Sequence, residues 1–200
     1  MIMEQLSYWN HNSAYYDWIK KKAASCKSIL DIGCGDGSLL MYLDDGQKEL
    51  VGLDIDSFCI RKACERNRSG HAEFILTSFD DYDPRRSFDA VIFVASIHHM
   101  DMRAAIEKAK ALLSPNGLLL IVGLASPSTF TDYIIEGLRV IPCKILSCVK
   151  GMHSSEDEQI PVSYNYPPLN EIRSILADEL PHHNLRYGLY YRYLLEWAKQ

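Results

Sequence analysis

No stretch of this chain is apolar for long enough to cross a bilayer: the longest apolar run, at 118–125, falls far short of the roughly 20 residues a membrane helix needs. The first residues include Glu4 and lack an apolar signal core, so no secretory leader is expected. Neither sign of charge dominates. Lys+Arg total 21 against 26 Asp+Glu, and a net charge of −5 gives little support for nucleic acid as a partner. The basic clusters Lys20-Lys21-Lys22 and Arg85-Arg86 are short, far apart and read as solvated. Internal repeats and low-complexity tracts are missing. The six cysteines (Cys26, Cys34, Cys59, Cys64, Cys143 and Cys148) make no C-x-x-C pair and sit mostly in apolar segments, as reduced thiols of a cytoplasmic protein do. Cys143, Cys148 and His153 have the wrong spacing for a zinc knuckle, and His98-His99 and His182-His183 are too scattered for a metal centre, so no metal is expected.

What remains is a chain of ordinary globular make-up, with 48% hydrophobic and 24% charged residues in 200, enough for one core and too little polarity for disorder. Short β-rich runs alternate with helical patterns. Strands are predicted at 28–32, 50–53, 72–76, 88–95 and 118–122. Helices are predicted at 38–43, after a Ser57 cap, and after an Asp101 cap. Ser114-Pro115-Asn116-Gly117 reads as a turn ahead of the fifth strand. That alternation implies an α/β, Rossmann-like, doubly wound sheet with right-handed crossovers. The tail differs: after a helix at 169–180, segments 183–187 and 191–197 are joined by so short a link that only antiparallel pairing fits. The expected architecture is a mostly parallel seven-stranded sheet closed by a C-terminal antiparallel hairpin. One domain spans 1–200, with a helical, aromatic-rich lead-in (1–26), a core (27–125), an insert (126–168), and the last helix with its hairpin (169–200). Within the insert, a helix is expected near 131–140, a break at Pro142 and a polar loop at 154–159. Long inserts at strand ends of such sheets are usually lids or binding loops.

The most informative stretch is Ile29-Leu30-Asp31-Ile32-Gly33-Cys34-Gly35-Asp36-Gly37, a strand running into a turn of alternating glycines and then a helix. Glycine without Cβ lets a ligand lie against the backbone. Asp54 ends the next strand, where an acid can accept hydrogen bonds from both hydroxyls of a ribose. The dinucleotide fingerprint would need glycine at position 38, which is Ser38, and Asp31 would repel a pyrophosphate. A carboxylate there suits a ligand with an ammonium or sulfonium group.

These segments resemble the class I S-adenosylmethionine-dependent methyltransferases. Asp31–Gly37 is similar to the family's first motif, Val51-Gly52-Leu53-Asp54-Ile55-Asp56 to its second, and Phe88-Asp89-Ala90-Val91-Ile92-Phe93 to its fourth-strand motif. Leu112-Leu113-Ser114-Pro115-Asn116-Gly117-Leu118-Leu119-Leu120 and the closing Tyr191-Arg192-Tyr193-Leu194-Leu195-Glu196-Trp197 resemble its last elements. The resemblance implies S-adenosylmethionine as cofactor and S-adenosylhomocysteine as product. By it, Gly33 and Gly35 pack against the methionine part, Asp54 holds the ribose and Ile55 lies against the adenine, with Asp31, Cys34 and Ala95 also at the cofactor pocket. The family's adenine-binding acid after the third strand is replaced by Ser78, whose hydroxyl could accept the same hydrogen bond; Asp80 could reach it, and Phe79 could lie beside the ring.

In-line methyl transfer mainly needs the nucleophile held near the methyl carbon, with a base where the acceptor must lose a proton. His98 and His99, just past the fourth strand, are the candidate catalytic bases. The lead-in could close over the cofactor, with His11, Asn12 or Tyr15 touching it, and Tyr164-Asn165-Tyr166 could line an acceptor pocket. The expected activity is transfer to an oxygen, nitrogen or carbon of a small molecule. The competing readings are a catalytically silent module acting through a protein partner, a methyltransferase acting on RNA or protein, and a nicotinamide-dependent oxidoreductase.

Overall fold

The computed structural model describes residues 11–126, 166–188 and 192–200. Each expected element within these is present. A 3-10 turn (Ser13–Tyr15) leads into helix α1 (Tyr16–Lys22). The alternating core then runs β1 (Ser28–Ile32), α2 (Ser38–Leu43), β2 (Glu49–Asp54), α3 (Ser57–Arg66), β3 (Ala72–Leu76), β4 (Phe88–Val94), α4 (Met102–Leu112) and β5 (Leu113–Leu124). Helix α5 (Leu169–Glu179) and strands β6 (Asn184–Tyr187) and β7 (Arg192–Ala198) close the chain. The expected helix, break and loop of the insert lie outside the described residues.

The seven strands form one sheet in the order β3-β2-β1-β4-β5-β7-β6. The first five are parallel, and β7 runs antiparallel to both β5 and β6. Both faces are covered, which is why residues 90–94 of β4 are apolar without a break. On one face Leu30, Val91, Phe93, Ile121 and Leu195 pack with Ile106 of α4 and Ile172 of α5. On the other, Ile29, Ile92 and Leu120 pack with Ile19 of α1 and Leu40 of α2. Strand order reverses between β1 and β4, so their carboxyl ends open the crevice where sheets of this kind bind ligands. Because β7 is antiparallel, its first residue, Arg192, pairs with Leu124 and lies at that same edge.

Two local expectations change. The cap of α3 is Asp56 rather than Ser57: the Asp56 carboxylate accepts the Phe58 N–H at 2.8 Å, and Ser57 is the first helical residue. Residues 114–117 do not form a free turn before β5 but are a bulge within it. Pairing with β4 jumps from Phe88↔Leu113 to Ala90↔Leu118, with Asn116 at φ +62°. The Lys199 N–H to Gly117 C=O hydrogen bond of 2.9 Å holds the bulge against the C-terminal segment.

At the opposite, amino edge, Asp89 joins three strands. One carboxylate oxygen accepts the Lys27 and Ser28 N–H groups at 2.8 and 3.3 Å, and the other accepts the Ser114 hydroxyl at 3.2 Å. Removing the acceptor leaves these donors unsatisfied, so Asp89→Ala should cost about 1–3 kcal/mol in urea denaturation, with Asp89→Asn recovering part of it. A loss below measurement error would show that the staple is solvated.

Candidate active site

The glycine turn after β1 is built onto β2. Gly33 and Cys34 both donate their N–H to the Leu53 C=O, at 2.8 and 2.9 Å. Gly35 donates to Asp54 Oδ2 at 2.8 Å, while Asp54 Oδ1 accepts the Asp56 N–H at 2.9 Å. Each carboxylate oxygen therefore holds one backbone donor and keeps further acceptor capacity. Gly33 is forced by close approach: at φ +74°, a Cβ there would lie 2.5 Å from Ser96 Cβ. Gly35 differs, because nothing lies within 4 Å of where its Cβ would be, so its backbone presents an open face. Ser96, buried after β4, donates its hydroxyl to the Ile32 C=O and ties the fourth strand's exit to the first. The residue before it, Ala95, takes the left-handed conformation at φ +55°, a strained state for a non-glycine residue that turns the chain across the edge. On the far side of the turn, Asp36 accepts the Ser38 hydroxyl at 2.6 Å and pairs with the Arg66 guanidinium from α3.

Beneath the turn, Asp31 is only 2% exposed, and its Oδ1 has no hydrogen-bond partner among the described residues. Burial, and then the negative charge of Asp54, push its pKa up to about 8. Cys34 is buried against the β2 backbone, where a Gly52 side chain would meet its sulfur, and burial followed by the Asp31 and Asp54 charges pushes its thiol far up. It is a neutral packing group. Ile55, one residue past Asp54, is 78% exposed at the edge.

The segment after β3 is tied to Asp54 by the Thr77 N–H to Asp54 C=O bond at 3.0 Å. Ser78 is half-buried there and bonds within its own turn to Asp81. Phe79, expected beside a bound ring, instead turns into the core. It is 4% exposed and stands edge-on to Phe93 at 5.7 Å, because an aromatic ring is better buried there than left at the edge. Asp80 is exposed, and its C=O is held by Lys108 at 2.7 Å.

His98 and His99 occupy a 3-10 turn (Ile97–His99) directly after β4. Their rings lie 4.0 Å apart, and Tyr166 meets His98 edge-on at 5.2 Å. Burial, then His99 and the Arg192 charge, lower the His98 pKa to about 4, and its Nδ1 has no partner among the described residues. Arg192 is 9% exposed and donates to Asn12 Oδ1 at 2.6 Å. Burial and then the Arg192 charge likewise lower the pKa of His11. Tyr166 is positioned by its C=O, which accepts the Ser126 hydroxyl at 2.9 Å. Tyr15 lies in the core on the α1 face, with Gly188 against its ring. Tyr164 and Asn165 lie outside the described residues.

Sequence reasoning missed Arg192, Ser96 and Asp81. Arg192 was readable only as part of a strand, since antiparallel pairing is what returns it to the edge. Ser96 and Asp81 act through contacts that spacing does not encode. Among the described residues no group of His, Cys, Asp and Glu is arranged to hold a metal ion, and no helix is long and apolar enough to cross a membrane.

Asp31 gives the fold a pH signature. Its pKa in the folded state, about 8, lies above the ordinary value of 3.8, so the folded protein holds the proton across the window in which the unfolded chain has lost it. The contribution to stability therefore falls as pH rises from about 4 toward 8 and levels off above that range. Asp31→Asn should flatten this decline in thermal denaturation and make the ligand-free protein more stable than its parent at pH 8. A variant that declines with pH as the parent does would contradict it.

A family model described as a methyltransferase domain matches residues 30–119, from β1 into β5. A protein of Mycobacterium bovis named as an uncharacterised methyltransferase is 30% identical over 199 residues, covering 94% of this chain and 96% of its own. A ubiquinone biosynthesis O-methyltransferase of Rhodopseudomonas palustris is 31% identical over 109 residues, covering 52% of this chain and 43% of its own. Among solved structures, magnesium protoporphyrin IX methyltransferase from Synechocystis with bound S-adenosylhomocysteine shares the fold at a TM-score of 0.63 and 18% identity, over 95% of this chain and 84% of that one. With the glycine turn, the strand-end acid and the antiparallel closing hairpin all in place, the chain belongs to the class I S-adenosylmethionine-dependent methyltransferases.

Proposed function

We propose that this S-adenosylmethionine-dependent methyltransferase acts in the cytoplasm on a small molecule, at an oxygen, nitrogen or carbon nucleophile. One observation carries the reading: the described ends of the lead-in and the insert, Asn12 and Tyr166, both reach the corner formed by His98 and Arg192. In this reading 1–26 is a lid and 126–168 an acceptor cap, each entering the polar corner at its described end. The names of two relatives, a ubiquinone biosynthesis O-methyltransferase and a magnesium protoporphyrin IX methyltransferase, agree with a small acceptor. The basic clusters weigh against RNA. Lys22 pairs with Glu196 at 2.7 Å, and Arg86 pairs with Glu49 and, at 3.6 Å, Glu73.

The residues fit the cofactor. The open backbone at Gly35 admits a chain lying flat on it, and the unpartnered oxygen of Asp31 suits an ammonium. Asp54 retains acceptor capacity on both oxygens for a ribose diol, with Ile55 beside the base and Ser78 toward its amino group. Ala95 and Cys34 complete the wall through their backbones, and Tyr15 supports the lead-in from below. When bound, S-adenosylmethionine supplies an activated methyl carbon on a sulfonium. His98, kept neutral by its surroundings, has an imidazole nitrogen ready to take a proton from a hydroxyl or amine, while the tilted ring of His99 packs against it.

The test is transfer of a labelled methyl from S-adenosylmethionine to a panel of phenols, amines and carboxylic acids, beside bulk tRNA and ribosomal protein. Label is expected in small molecules alone; label confined to RNA or protein would overturn the acceptor class, and cofactor binding with no transfer anywhere would favour a silent module. With the best acceptor, His98→Ala should lower kcat by roughly 10²–10⁴-fold, with affinity for S-adenosylhomocysteine changed less than about twofold. The parent rate should not fall below pH 7 until well under the usual histidine range, since His98 loses its proton at about 4.

A further inference from the structure

The turn after β3 contains a hydroxyl with its proton already committed. Ser78 Oγ donates to Asp81 Oδ2 at 2.6 Å and accepts the Asp81 N–H at 3.0 Å. A serine hydroxyl has one proton and two lone pairs, so one lone pair remains and no proton is left to give. The short, charge-assisted contact to a carboxylate fixes that direction. The turn cannot easily swing away: Phe79 is anchored in the core against Phe93, Lys108 holds the Asp80 C=O at 2.7 Å, and Thr77 bonds back to Asp54 at 3.0 Å.

We propose that Asp81 is a positioning residue that makes Ser78 an acceptor-only group, so that the site selects the amino-bearing adenine of its cofactor over the deaminated, oxo-bearing analogue. The proposal rests on the reading that Ser78 faces the adenine. An adenine amino group donates to the remaining lone pair. A 6-oxo group offers only lone pairs there, and two acceptors face each other without a proton between them. Asp81 thus restores, through one hydroxyl, the acceptor character that a carboxylate at position 78 would supply directly. An unpaired serine would not discriminate, because its hydroxyl can rotate to donate as readily as accept.

Isothermal titration of S-adenosylhomocysteine and S-inosylhomocysteine into the parent, Ser78→Ala, Asp81→Ala and Asp81→Asn tests this. The parent should prefer the adenosyl compound on the order of ten- to a hundred-fold. Asp81→Ala should narrow the preference to within about threefold, partly by binding the inosyl compound more tightly than the parent does, a gain that damage to the fold does not produce. Asp81→Asn should keep most of the preference, because the carboxamide oxygen still takes the serine proton. Ser78→Ala should lose it. An Asp81→Ala variant with the parent's preference intact, alongside a Ser78→Ala variant that has lost it, would overturn the role of Asp81 and leave the placement of Ser78 standing. A Ser78→Ala variant that discriminates as the parent does would overturn that placement, and the proposal with it.

Discussion

One carboxylate holds the active edge of this protein together. Asp54 accepts the Gly35 N–H on one oxygen and the Asp56 N–H on the other, and its C=O receives the Thr77 N–H. The ends of β1, β2 and β3 are thereby fixed to a single residue. Backbone donors at a turn must be satisfied, and here the glycine turn finds its partner on the neighbouring strand. The arrangement also leaves the carboxylate with spare lone pairs, so the device that shapes the turn is the one proposed to hold the sugar. Structure and recognition are coupled at that point.

Burial controls the charge state on both sides of the edge. Asp31 is kept protonated well above the ordinary carboxylate range, and His98 is kept deprotonated well below the ordinary imidazole range. The cause is the same, loss of water around an ionisable group, and the signs differ only because one charged form is negative and the other positive. Arg192 adds to the effect at His98. A ligand carrying an ammonium would find a proton-bearing acid that can ionise against it. In the role proposed for His98, an acceptor carrying a hydroxyl or amine would find a base that does not need to be deprotonated first.

The sheet, its order of elements and the glycine turn with its distant acid were legible in the sequence because they are set by periodicity and by residues with few conformational substitutes. The alternation of short β-rich runs with helical patterns announced the parallel core, and the short link after Tyr187 required the antiparallel pair. What was not legible depends on contacts made across the chain. Asp56 takes the cap from Ser57 because of local backbone angles; 114–117 stays within β5 because Phe88 and Lys199 hold its ends. The direction of the Phe79 ring follows from the space beside Phe93, which spacing cannot express. Arg192 reaches His98 only because β7 runs backward, and Asp81 matters only because its carboxylate lies within reach of a particular hydroxyl.

The measurement closest to the centre is the affinity of Asp54 variants for S-adenosylhomocysteine by isothermal titration, with thermal denaturation as the control for folding. Asp54→Ala should weaken binding by roughly a hundredfold or more while the protein stays folded, since it removes both the turn's anchor and the acceptor for the diol. Asp54→Asn, which keeps one oxygen acceptor, should fall between the two. An alanine variant that remains folded and binds as tightly as the parent would contradict the assignment of this edge as the cofactor site.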